Sequence, residues 1–98
     1  MTQTIIMAIQ VLPRIKDGNT SVLIDKAIEE IKQSGVKYRI GPFETVMEGN
    51  YEKLMQVIEQ VQQTCFNAGA DKVLVIAKIE RRKEGDITIE EVMGKYGG

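Results

Sequence analysis

The chain has 98 residues, a net charge of −1, 43% hydrophobic and 28% charged residues, which is the composition of a small globular domain with little core to spare. The near balance of charge excludes a general binder of nucleic acid or anionic membrane, since either needs a surplus of Lys and Arg. The complete absence of histidine removes the commonest general base, the commonest metal ligand and every Ser-His or Cys-His nucleophile pair.

Residues 3 to 12 are rich in Ile, Met and Val and stop at Pro13, which predicts a first strand. With a period of two, Ile5, Met7, Ile9 and Val11 face one way, and Ile6, Ala8 and Leu12 with Gln10 face the other, so both faces are largely apolar. This run has no basic leader and falls well short of a membrane span, and the lone Cys65 cannot form an internal disulfide. A reducing, cytoplasmic location is therefore expected. After a polar loop containing Asp17-Gly18, Thr20 or Ser21 is expected to cap a helix with Ile24, Ala27, Ile28 and Ile31 on its apolar stripe. Lys26, Glu29, Glu30 and Lys32 take the wet face, and Gly35 stops the helix.

Val36 to Ile40 predicts a second strand, Gly41-Pro42 a reversal, and Phe43 to Glu48 a third strand that ends at Gly49, with Asn50 placed to cap a helix. Tyr38, Thr45 and Glu48 are polar groups in this segment able to read a small polar ligand, and Phe43 supplies an apolar wall. From Tyr51 the spacing of Leu54, Val57, Ile58, Val61 and Cys65 predicts a second helix, ended by Ala68-Gly69. Cys65 lies on its buried stripe, where it reads as a small core residue rather than a reactive thiol.

Lys72 to Arg82 predicts a fourth strand, apolar on both faces through Ala77 and of mixed charge toward Glu84. Thr88-Ile89-Glu90-Glu91 matches a capping box, and Ile89, Val92, Met93 and Tyr96 form a short stripe behind it. No linker or long repeat divides the chain, so residues 1–98 read as one domain.

The order strand, helix, strand, strand, helix, strand is a split pair of β-α-β units. It predicts an α+β, ferredoxin-like βαββαβ fold: an antiparallel sheet with two helices on one face, plus a short C-terminal helix. Strands 1 and 4 are expected side by side at its centre. The face without helices is then an apolar patch that calls for another chain, as a homodimer or homotetramer through sheet packing.

Three marks along the chain carry a resemblance. They are Thr20-Ser21-Val22 at the start of the first helix, Tyr38-x-x-x-Pro42-x-x-Thr45-x-x-Glu48-Gly49, and Lys78-Ile79-Glu80-Arg81-Arg82 at the end of the last strand. In order and spacing they are similar to the small thiamine-binding proteins of ferredoxin-like fold, over nearly the whole chain. Glu44 departs from the pattern, where a glycine is expected before the threonine.

The resemblance implies a cytoplasmic homo-oligomer that binds thiamine or its hydroxymethylpyrimidine part without transforming it, and without cofactor or metal. On this reading Glu48 partners the amine or the positive charge and Thr45 offers a hydroxyl. Tyr38 or Phe43 forms the wall, and Thr20 and Ser21 are further hydrogen-bonding groups. Strict alternation puts Thr45 and Glu48 on opposite faces of a strand, so they share a site only if the strand bends or a neighbouring chain completes it. The competing reading is a regulatory domain that binds an amino acid between subunits. An enzyme lacks a base and a Gly-rich anion cradle after Arg14, and an RNA-binding sheet lacks aromatics on strands 1 and 4.

Overall fold

The structure is a computed structural model that describes residues 3 to 94. The chain runs β1 (Thr4–Arg14), α1 (Ser21–Gln33), β2 (Lys37–Ile40), β3 (Thr45–Asn50), α2 (Tyr51–Asn67), β4 (Lys72–Glu80) and α3 (Ile89–Gly94). The four strands form one antiparallel sheet in the order β2-β3-β1-β4. This is the ferredoxin-like α+β arrangement read from the element order, in which each long helix carries the chain across one intervening strand. One expectation is corrected: β1 and β3 are the inner strands and β4 is an edge. Interleaving demands this, because β3 takes one side of β1 before α2 crosses back to lay β4 on the other.

The alternation of β1 divides the molecule. Ile5, Met7 and Ile9 are buried with Met47 of β3 against Ala27 and Ile31 of α1 and Leu54, Val57, Val61 and Cys65 of α2. The buried residues of α1 are Leu23, Ala27 and Ile31, so the helix is turned from the expected stripe. Leu23 replaces Ile24 in the core, while Ile24 is exposed and Ile28 half-buried.

The cap of α1 also differs from expectation. Thr20 has helical dihedrals and makes no side-chain cap bond, and Asn19 Oδ1 accepts from the Ser21 N–H at 2.8 Å instead. Asn50 caps α2 as read, its Oδ1 accepting from the Lys53 N–H at 2.8 Å.

β2 begins at Lys37 rather than Val36, and β3 runs from Thr45 through Gly49 to Asn50. The later start of β3 has a plain cause: the Gly41 N–H donates to the Glu44 carbonyl at 2.9 Å, so Pro42 and Phe43 belong to the turn.

On the opposite face lie Ile6, Ala8, Gln10 and Leu12, in register with Val46 and Glu48 of β3 and with Leu74, Ile76, Lys78 and Glu80 of β4. The short α3 contacts this face at one end of β3. Glu48 Oε1 accepts from the Ile89 N–H at 2.9 Å, and Thr88 Oγ1 accepts from the Glu91 N–H at 3.1 Å. Lys37 pairs with Glu90 at 3.2 Å. Arg82 leaves the sheet to bind the Glu91 carboxylate and the Asp86 carbonyl, which ends β4 at Glu80 rather than Arg82. The Glu91 carboxylate holds the Arg82 guanidinium still more firmly charged. Tyr96, expected on the stripe of α3, lies outside the described residues.

Two consequences are measurable. Glu48→Ala removes the acceptor at the start of α3, a contact of about 1 kcal/mol. The Ile89 amide should then exchange roughly fivefold to tenfold faster while the sheet amides keep their protection. Unchanged exchange at Ile89 contradicts the cap.

Cys65 is fully buried and burial raises its thiol above the ordinary range. The fold thus disfavours the thiolate, and stability due to the neutral thiol is intact below that range and falls as pH rises through it. At pH 8 iodoacetamide should modify the native protein at least about a hundredfold more slowly than the denatured chain. Equal rates contradict the burial.

Candidate functional site

The unequal lengths of β1 and its neighbours create the most distinctive recess of the fold. β1 pairs with β4 as far as Arg14, but its pairing with β3 stops at Ile9 opposite Thr45. Beyond Ile9 the β3 side of β1 has no strand beside it, so the backbone groups that point that way between Gln10 and Leu12 lack a ladder partner, while Pro13 brings a C=O and no N–H. The Gly41–Glu44 turn stands across the gap and α1 closes one side.

The result is a cavity of about 290 Å³. Gln10, Val11 and Leu12 come to it from the free edge, Ile24 and Ile28 from α1, and Ile40, Pro42, Phe43 and Thr45 from the hairpin. Ile24 and Ile28, the residues that α1 leaves out of the core, are thereby used. Among the described residues Glu44 is the one charged residue along this lining, and its carboxylate pairs with Lys78 at 3.4 Å.

The six residues singled out from the sequence do not meet in one place. Phe43 and Thr45 both line the cavity; Phe43 is 83% exposed at its rim and Thr45 is 7% exposed. Thr20 stands one helical turn before Ile24, whose N–H donates to the Thr20 carbonyl at 3.0 Å, so it continues the Ile24-Ile28 line past the cavity wall. Ser21 begins α1 with its N–H held by Asn19. Tyr38 pairs with Met47 on the helix-bearing side of the outer strand β2 and is absent from the cavity lining. Glu48 lies on the opposite face, paired in register with Ile6 and Lys37 and bonded to α3.

Thr45 and Glu48 are therefore separated within one chain, as alternation requires. Residues not singled out from sequence, chiefly Gln10, Leu12, Ile24 and Ile28, complete the recess. Only the mismatch between an eleven-residue β1 and a six-residue β3 reveals them.

A second cavity of about 210 Å³ lies on the open face, between α3 and the sheet. Ile6, Ala8, Val46, Ile89, Val92 and Met93 make it almost wholly apolar, with Arg39, Lys78 and Glu80 at its margin. It offers few groups to orient a polar molecule. Among the described residues no group of three or more acidic or cysteine side chains is placed to hold a metal ion. No helix of the described residues is long and apolar enough to cross a membrane.

The chain is 39% identical over 90 residues to a UPF0045 protein of Clostridium perfringens, covering 92% of this chain and 94% of the relative. The solved structure of a domain of unknown function, DUF77, from Bacillus cereus superposes with a TM-score of 0.93 at 40% identity, over 98% of this chain and 92% of that one. A Thermotoga maritima structure, described as a candidate thiamine biosynthesis/salvage protein, superposes with a TM-score of 0.84 at 33% identity, over 95% and 98% of the two chains. The profile of the family described as thiamine-binding protein matches residues 7–97, and with that match the chain belongs to this thiamine-binding protein family.

Proposed function

We propose that this protein binds thiamine, or its hydroxymethylpyrimidine half, in the recess between the free edge of β1, α1 and the Gly41–Glu44 turn, and releases it unchanged. The observation that carries the reading is the β1 edge beyond Ile9, with Thr45 at its start. An aminopyrimidine presents an amine donor beside ring-nitrogen acceptors, and an unpaired strand edge offers C=O acceptors and an N–H donor to meet them.

Ile24, Ile28 and Phe43 furnish flat or apolar walls, the usual lining of a small-molecule site. Among the described residues no lysine or arginine lines this recess, which suits the positive charge of a thiazolium. Thr45 offers its hydroxyl within the recess, and in this reading Thr20 and Ser21, at the start of α1, serve the distal part of the ligand. Glu48 serves in this reading to fix α3, and Tyr38 to shield the sheet edge beside the turn.

Binding rather than turnover is the reading we favour, because Glu44, the candidate base among the described lining residues, has its carboxylate paired with Lys78. The buried, unpaired Cys65 accords with a cytoplasmic protein. The oligomer belongs to the same proposal: Leu74 and Ile76 are 51% and 44% exposed beside Ile6, Ala8 and Leu12 on the open face. Packing of that face against its counterpart in a second copy removes this apolar surface from water.

Calorimetry with thiamine tests the site. The parent should bind, and Thr45→Val should weaken binding by about 0.5 to 1.5 kcal/mol, roughly twofold to tenfold in Kd. Phe43→Ala should weaken it with no loss of thermal stability, because the ring is mostly in solvent. No binding heat with the parent, or parental affinity in both variants, rules out this site.

A further inference from the structure

We propose that Phe43 and Glu44 form a subsite for the cationic ring of the ligand, so that the recess selects the free thiazolium alcohol over its neutral pyrimidine half and over its phosphate esters. The subsite rests on the binding reading above and engages Glu44, to which that reading gives no part in recognition.

Phe43 and Glu44 are neighbours in the Gly41–Glu44 turn, and both line the recess and a shallower cavity of about 340 Å³ beside it. The two side chains thus stand where a ligand longer than a pyrimidine leaves the β1 edge. The turn is closed by the Gly41 N–H on the Glu44 carbonyl, at 2.9 Å, which leaves the carboxylate outside the hydrogen bonding of the turn. The Phe43 ring is mostly in solvent. An open aromatic face next to a carboxylate suits an organic cation, because the ring offers its negative face and the carboxylate its charge.

The present partner of that carboxylate is replaceable. Glu44 meets Lys78 at 3.4 Å, and the Lys78 side chain is 70% exposed. An ion pair so open to water is weak. A lysine ammonium is compact and strongly hydrated, whereas a thiazolium spreads its charge over a flat ring that Phe43 covers at the same time, so exchange of one cation for the other favours the ligand. Lys78 does not line the recess, and Arg39 lines the shallow cavity but not the recess.

The same acid discriminates against anions. A phosphate ester adds about −1.5 to −2 charges. Beside Glu44 it meets repulsion, and among the described residues no lysine or arginine lines the recess to offset it.

Calorimetry with three probes isolates the subsite: thiamine, hydroxymethylpyrimidine, which lacks the cation, and thiamine monophosphate. The parent should hold thiamine about tenfold more tightly than either of the others. Glu44→Gln keeps the shape and removes the charge; it should weaken thiamine about fivefold to tenfold, leave hydroxymethylpyrimidine within about twofold, and narrow the gap to the monophosphate. Lys78→Gln removes the competing ammonium and should tighten thiamine about twofold, a gain that damage to the fold does not produce.

Each failure is distinct. If the parent binds thiamine but holds the pyrimidine half or the monophosphate equally well, or if Glu44→Gln leaves thiamine unchanged or weakens both halves in proportion, the subsite is overturned and the recess is not. A parent that binds no thiamine overturns both.

Discussion

The position of β1 is the constraint on which the rest of the structure depends. It is the longest strand, it is an inner one, and it pairs with β3 for only part of its length. One set of its side chains, Ile5, Met7 and Ile9, anchors both long helices to the sheet; the other set, Ile6, Ala8 and Leu12, leaves the far face apolar. Its overhang past Ile9 then exposes a backbone edge exactly where the hairpin turn can stand over it. Core and open face follow from the alternation of β1, and the recess from its being longer than β3.

Much of this was legible in the sequence because the signals are local and periodic. The alternation of β1, the cap at Asn50 and the stripe from Leu54 to Cys65 each require only neighbours along the chain. The failures have one physical source, competition from a partner distant in sequence or from a nearby group better placed. The apolar stripe of α1 admitted both Leu23 and Ile24, and packing against β1 and α2 put Leu23 inside. Asn19 reached the first N–H of α1 before Thr20 could. The rank of β4 in the sheet depends on how two crossovers interleave, which no stretch of residues encodes by itself.

The candidate site was only half visible for the same reason. Phe43 and Thr45 were marked by their residue types, and they do line the recess. Gln10, Leu12, Ile24 and Ile28 look like ordinary strand and helix residues until the offset between β1 and β3 is known. Glu48, read from the sequence as a ligand carboxylate, accepts the first N–H of α3 at one of its two oxygens, a contact that no local pattern announces. Glu44, where the family pattern suggests a glycine, fits without strain: the described residues contain no positive φ outside glycine, and the turn closes through the Glu44 carbonyl while its carboxylate pairs with Lys78.

We propose that the ligand sits on the free edge of β1 rather than under α3. An amide-resolved NMR titration with thiamine distinguishes the two cavities in one experiment. The largest shift changes should fall on the amides of Gln10, Val11, Leu12, Phe43 and Thr45, with Ile24 and Ile28 responding less. Shifts confined to Ile6, Ala8 and the α3 amides from Ile89 to Met93 would contradict it and move the site to the open face.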